Sequence, residues 1–254
     1  MKVPITPLGQ CGFRFQFGNR VIYTDPYLSN SVAELEGEDL QRLIPIPITP
    51  DAILDADVAL ITHAHLDHCD LETLIPLSNA SKKCRFICPN EVSTLLTDAG
   101  IEENRITIAT GTWINIDSDL KVFPVPAAHP KVEYDETGYL RFVGYVLEYA
   151  GRKFYHAGDG SPDDLVLDQL NRLGPLDIGF IPVNERNYYR DKRGIIGNMS
   201  VREAFQFADD IGLKTLVPTH WDMFEPNRVY PEEIELLYKL MNPSFEMQLN
   251  PKEL

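Results

Sequence analysis

Residues 62–68 read Thr62-His63-Ala64-His65-Leu66-Asp67-His68, and every other part of the chain is interpreted outward from them. The 254 residues include only six histidines, three of them within these few positions. Just before the stretch, Val58 to Thr62 is a short apolar run of the kind that forms a buried strand. Just after it, Asp70 is placed to cap a helix running to roughly Ser78. A strand-to-helix loop lets several side chains converge without breaking a hydrogen-bonded ladder. His63 and His65, two apart in a nearly extended segment, point the same way and can grip one metal ion. Asp67 and His68 are adjacent, so they diverge from that pair and can serve a neighbouring ion. Imidazole with carboxylate, and no thiolate, suits zinc or manganese.

Two ions need more ligands than one such loop supplies. His129 follows Val125-Pro126-Ala127-Ala128, just past a strand-like segment. Asp159 sits in Tyr155-His156-Ala157-Gly158-Asp159-Gly160, again past a strand, between glycines that permit close approach. His220 ends Thr215-Leu216-Val217-Pro218-Thr219-His220. Each candidate lies beyond a strand's end, which would bring them together at one sheet edge. His156 alternates with Phe154 and is expected to point into the sheet packing, as a core or ligand-supporting histidine. Asp222 is open between an orienting carboxylate and a helix-start residue.

The rest of the chain supports a layered α+β fold. Phe13, Phe15 and Phe17 alternate with Arg14 and Gln16, the period of a half-buried strand. Gly18-Asn19 is a hairpin turn, and Val21 to Thr24 returns as the partner, ended by Asp25-Pro26. Residues 28 to 51 are polar and broken by proline, and read as a loop that covers something. Glu91 to Ala99 reads as a helix stopped by Gly100. Lys121 to Val125, Leu140 to Tyr149, Lys153 to His156, Ile178 to Val183 and Thr215 to Val217 read as strands. Asp164 to Leu173 and the segment from Ser200 to about Ile211 read as helices. Strands come first in runs and then alternate with helices, which implies sheets covered by helices. No linker and no long repeat interrupts the pattern, so residues 1–254 are expected to form a single domain.

In order and in kind, His63, His65, Asp67, His68, His129, Asp159 and His220 resemble the metallo-β-lactamase-fold hydrolases. That resemblance implies a four-layer αβ/βα sandwich, with two mixed β-sheets flanked by helices. It implies one divalent ion on His63, His65 and His129, a second on Asp67, His68 and His220, and Asp159 bridging them. It also implies hydrolysis by a hydroxide generated at the ions, Mn2+ or Zn2+, with Asp67 holding or shuttling the proton. Asp25 then matches an acid supporting the ligands, although it is equally placed to be a turn cap. His65 stands where di-iron members carry glutamate, which argues against oxygen chemistry.

Net charge is −15, which discourages nucleic acid and anionic membrane as partners. Cys11, Cys69, Cys84 and Cys88 are too scattered for a disulfide scaffold and read as buried thiols of a reducing compartment. With no long apolar run and no signal-like N-terminus, the expectation is a soluble cytoplasmic protein, with homo-oligomerisation open. Against this acidic background, residues 184–194 carry four cations and two anions. Arg186, Arg190 and Arg193 are therefore candidates to hold an anionic, phosphorylated substrate, unless the segment is simply a solvated loop. The runs Arg193 to Ser200 and Leu216 to Met223 resemble the L-ascorbate-6-phosphate lactonase (UlaG-like) branch. That implies a lactonase acting on a phosphorylated sugar acid lactone. The alternative is a phosphodiesterase acting on small cyclic nucleotides or other phosphodiesters.

Overall fold

The phenylalanine alternation seen in the sequence becomes the seam between two sheets. The structure, a computed structural model, describes residues 2–254. Its first sheet holds β1 (Ile5–Gly9), β2 (Gly12–Phe17), β3 (Arg20–Thr24), β4 (Val58–Leu60), β5 (Arg85–Cys88) and β6 (Ile106–Ile108), side by side in that order. β1 to β3 pair antiparallel and β3 to β6 pair parallel. The second sheet holds β7 (Ile114–Asn115), β8 (Leu120–Pro126), β9 (Val143–Tyr149), β10 (Arg152–His156), β11 (Ile178–Pro182), β12 (Thr215–Thr219) and β13 (Glu246–Met247), again in order. Here β7 to β10 pair antiparallel and β10 to β13 parallel.

Phe13, Phe15 and Phe17 all point inward, while Arg14 and Gln16 point out. Phe15 meets Phe180 of β11 edge-on at 5.1 Å, and Phe17 meets Phe154 of β10 at 5.2 Å. Each such buried ring contributes about 1.5–3 kcal/mol before the entropy of ordering it. On the outer face of the first sheet lie α2 (Leu71–Ala80) and α3 (Asn90–Asp98), packed through Leu74, Leu77, Val92 and Leu96. The outer face of the second carries α4 (Asp164–Leu173), α6 (Val201–Asp210) and α7 (Pro231–Met241), packed through Leu170, Phe205 and Ile234. The molecule is therefore the four-layer α+β sandwich expected, with two mixed sheets inside.

Helix starts follow their capping chemistry. Asp70 accepts from the Glu72 N–H, and Ser200 with Glu203 forms a reciprocal capping box. Other elements differ from the sequence reading. Residues 28–51 are not a bare loop: α1 (Ser31–Glu36) forms there, with single 3-10 turns at Glu38–Leu40 and Pro50–Ala52. β1 escapes the pattern because Pro7 interrupts it, yet an edge strand tolerates proline. β5 and β6 are too short to show a period. α7 opens on Pro231, whose missing N–H costs nothing in a first helical turn. A short turn of helix, α5 (Tyr188–Asp191), lies inside the basic segment.

Candidate metal centre

Strand direction builds the site. β3, β4, β8, β10 and β12 deliver Asp25, the 62–68 loop, His129, Asp159 and His220 from their C-terminal ends to one edge of the sandwich. The two sheets are tied together there. The Tyr145 hydroxyl of β9 lies 2.7 Å from the Ile61 carbonyl, and the Val143 N–H donates to the Thr62 carbonyl at 3.1 Å. Gly158 approaches so closely that a Cβ on it would stand 2.7 Å from Thr62 Cβ, and its φ is +61°. Only glycine fits that passage, which lets Asp159 reach the histidines.

Asp159 is at the centre. Its Oδ1 lies 3.2 Å from His68 Nε2 and 3.2 Å from His220 Nε2, and its Oδ2 lies 3.6 Å from His129 Nε2. His63 Nε2 and His65 Nδ1 face each other at 3.0 Å. Asp67 Oδ2 is 3.3 Å from His220 Nε2 and 3.5 Å from His68 Nε2. Three sets of donor atoms each converge within 4.8 Å: His63, His65, His129 and Asp159; Asp67, His68 and His220; and Cys11, His68 and Asp159. His65 is exposed at the mouth, while His63, His68, His129 and His220 are buried.

Electrostatics divide the same groups. Burial, reinforced by the neighbouring His68 and His65 rings, pushes His63 well below its ordinary range. Burial likewise brings His129 down to about 4, so both rings are neutral at pH 7 with a lone pair to offer. For His68 burial acts downward too, but the carboxylates of Asp159, Asp67 and Asp25 outweigh it and hold the ring well above its usual value. His220 rises to about 9, since Asp159 and Asp67 overcome its burial. In turn these rings hold Asp67 and Asp159 well below the carboxylate range, against a desolvation that works the other way.

The residues suit divalent cations. His68 Nε2 is buried and, although Asp159 Oδ1 lies 3.2 Å away, makes no well-directed hydrogen bond. An orphaned polar atom of this kind is costly unless something answers it. The donors are nitrogen and oxygen, the set that zinc and manganese accept. Cys11 lies beneath, its thiol 3.9 Å from Asp159 Oδ1, and burial pushes that thiol far up, which keeps it protonated.

Asp25 and His156 fall beneath the ligands. Asp25 Oδ2 lies 2.9 Å from His68 Nδ1 and 3.3 Å from His156 Nε2. The three arginines separate. Arg193 lines a cavity of about 430 Å³ that opens onto His65, Asp67, His129 and His220, and it pairs with Asp39 at the rim. Arg190, expected to hold substrate, is buried and is not on the wall of this cavity. Its guanidinium donates to the backbone carbonyls of Glu185, Pro226 and Arg228, so it fastens loops instead of a ligand. Arg186 is not on the cavity wall either, and lies 3.9 Å from Glu203. Away from the histidine-carboxylate cluster, which includes Asp159, the wall is apolar through Val32, Leu40, Ile195, Ile196 and Phe224, with Glu36 and Asn227 its polar members besides Arg193.

Gln10 and Asn227 carry no sequence signal of their own, whereas Asp222 is a residue whose role the sequence leaves open. Gln10 puts its amide nitrogen 2.6 Å from Asp67 Oδ2, at a turn after the unread strand β1. Asn227 faces His220 Nδ1 at 3.3 Å from a loop with no motif. Asp222 accepts from the Gln10 N–H at 3.2 Å, which makes it a support for that turn.

A two-sheet sandwich with this histidine-carboxylate edge defines a metal-dependent hydrolase of the metallo-β-lactamase fold. The chain belongs to the beta-lactamase superfamily domain family, whose sequence profile matches residues 20–221. A metal-dependent hydrolase of Caldivirga maquilingensis is 25% identical over 237 residues, spanning 93% of this chain and 89% of that protein. A protein of Salmonella heidelberg, named a probable L-ascorbate-6-phosphate lactonase, is 21% identical over 254 residues, spanning 92% of this chain and 68% of that one. Among solved structures, the metallo hydrolase Igni18 of Ignicoccus hospitalis shares the fold, with a TM-score of 0.72 at 19% identity over 100% of this chain and 98% of that one. Among the described residues, no helix is long and apolar enough to cross a membrane.

Proposed function

We propose that this hydrolase opens the ester bond of a lactone, on a small sugar acid that carries a phosphate. The supporting observation is the cavity itself, which has the histidine-carboxylate cluster at its floor and Arg193 at its rim. In this reading His63, His65 and His129 hold one divalent ion, Asp67, His68 and His220 hold another, and Asp159 reaches both. Mn2+ or Zn2+ bound there would supply the positive charge that acidifies water and steadies a developing oxyanion.

The chain's own residues do the rest. His63 and His129 are neutral at physiological pH and offer lone pairs without first losing a proton. Asp67 is ionised despite its burial, because His68 and His220 favour its charged form, and in this reading its carboxylate also orients the attacking water by accepting its hydrogen bond. Arg193 would receive the phosphate in place of Asp39, bidentately and at a distance from the reacting carbonyl. The apolar wall excludes water from the bond that breaks. Residues 1–254 act as one domain in this reading, with the two chain ends paired through the Val3 N–H and the Leu254 carbonyl at 2.8 Å.

The test is a parallel assay of a phosphorylated sugar lactone and a cyclic nucleotide. Lactone opening with the larger kcat/KM, abolished by a chelator and restored by Mn2+ or Zn2+, is expected. A larger kcat/KM for the cyclic nucleotide would replace the lactonase with a phosphodiesterase, and full turnover after metal removal would overturn both.

A further inference from the structure

Gln10 has no place in the ligand set, yet it touches both halves of the Asp67–His220 pair. Its side chain is buried, with 4% of the residue exposed. The amide nitrogen lies 2.6 Å from Asp67 Oδ2 and 3.1 Å from His220 Nε2. The identity of that atom follows from the contact. An amide oxygen at this distance from a carboxylate oxygen would set two acceptors against each other, so the nitrogen faces Asp67 and donates to it. The backbone is clamped as firmly. The Gln10 N–H donates to Asp222 Oδ1 at 3.2 Å, and the Gln10 carbonyl accepts from the His220 N–H at 3.0 Å. Its φ of +57° lies in the left-handed region, which a non-glycine residue occupies only where its surroundings hold it there.

We propose that Gln10 is a positioning residue for cation binding, holding the Asp67 carboxylate in its ligating orientation by N–H donation. This rests on Asp67 being a ligand. A carboxylate that gives one oxygen to a cation is free to swing about its χ angles, and a donor on the carboxylate removes that freedom. Gln10 is neutral, so it does this without competing for the cation as a lysine would by repulsion, or drawing it away as a carboxylate would. Because its carbonyl also holds the His220 backbone, one turn fixes Asp67 from the first sheet and His220 from the second at a set separation.

The experiment is a double-mutant cycle read by cation titration, with no substrate present. Chelator-stripped wild type, Gln10→Leu, Asp67→Ala and the double variant are titrated with Mn2+ by calorimetry. Leucine keeps the volume of glutamine and removes the donor. Gln10→Leu is expected to weaken Mn2+ binding about 10–100-fold, the usual effect of losing a ligand's hydrogen-bond partner. In the Asp67→Ala background the same change is expected to cost nothing further. Unchanged Mn2+ affinity in Gln10→Leu would overturn the proposal, and so would losses that simply add in the double variant. If Gln10→Leu does not fold, Gln10→Asn takes its place in the cycle. Asparagine tolerates the left-handed backbone but is one methylene too short to reach Asp67, and the same two outcomes decide. A chain that fails the lactone assay can still pass this cycle, so the two readings fail separately.

Discussion

Asp25 Oδ2 lies 2.9 Å from Nδ1 of His68, with both side chains fully buried. The same carboxylate accepts from the Thr62 N–H at 2.8 Å and the Thr62 hydroxyl at 2.7 Å. Burial would push Asp25 up, but the His68 and His156 rings hold it well below the carboxylate range, so it is ionised. It therefore accepts a hydrogen bond from His68 Nδ1–H and leaves Nε2 aimed at Asp159 and Asp67. Asp25→Asn keeps the shape and removes the charge. It is expected to lower cation affinity about 10–100-fold, measured by titration of the chelator-stripped protein. Asp25→Ala leaves two buried rings unanswered and is expected to cost about 3–5 kcal/mol in urea unfolding.

Proton release should distinguish the two halves of the cluster. His63 and His129 are neutral at pH 7, the latter having fallen to about 4, so a cation on them displaces no proton. His68 is raised well above its usual value and holds a proton that a cation at Nε2 must displace. The sign follows: His220, raised to about 9, holds a proton as well, so cation affinity at the His68 side rises with pH until both protons are gone, by up to about tenfold per unit for each. Calorimetric titrations in buffers of different ionisation enthalpy will show proton release as the His68 side fills, and binding there without proton release would overturn this.

The two arginines should part by readout. Arg193→Ala is expected to raise KM for a phosphorylated lactone at least tenfold and to leave its unphosphorylated analogue nearly unchanged. Equal effects on both would make the rim a plain surface. Arg190→Met removes donors from three carbonyls and should lower stability by about 2–3 kcal/mol. In the folded fraction KM should stay near wild type.

Sequence made visible whatever rests on local pattern. Phe13, Phe15 and Phe17 show a half-buried strand because alternation is a property of neighbours. The 62–68 loop shows a ligand cluster because its donors are adjacent in the chain. Arg190 and Arg193 are three apart and chemically identical, yet one is spent on backbone carbonyls and the other faces the cavity. Only the path of the loop decides that. Gln10 is invisible for the same reason, because its partners Asp67 and His220 lie 57 and 210 positions away.

Behind His220 runs a chain of buried amides whose sense is fixed at its far end. The Gly160 N–H can only donate, and it donates to Asn198 Oδ1 at 3.0 Å. That turns Asn198 Nδ2 toward Asn184 Oδ1 at 2.9 Å, and Asn184 Nδ2 toward Asn227 Oδ1 at 2.8 Å. Asn227 is left to present an N–H to His220 Nδ1 at 3.3 Å. Asp159 and Asp67 favour the doubly protonated ring, while the amide chain opposes it, because an Nδ1–H would meet another N–H. Asn227→Asp ends that opposition and leaves Asn184 Nδ2 its acceptor. The variant should fold, with His220 titrating above its present value of about 9. A ring that ligates through Nε2 also carries Nδ1–H, so the new carboxylate favours the cation-bound ring as it favours the protonated one, and Mn2+ affinity at pH 7 should not fall. Side-chain NMR of His220 in the metal-free protein reads the first effect and a Mn2+ titration the second. An unmoved His220 would mean that the amide chain serves packing alone.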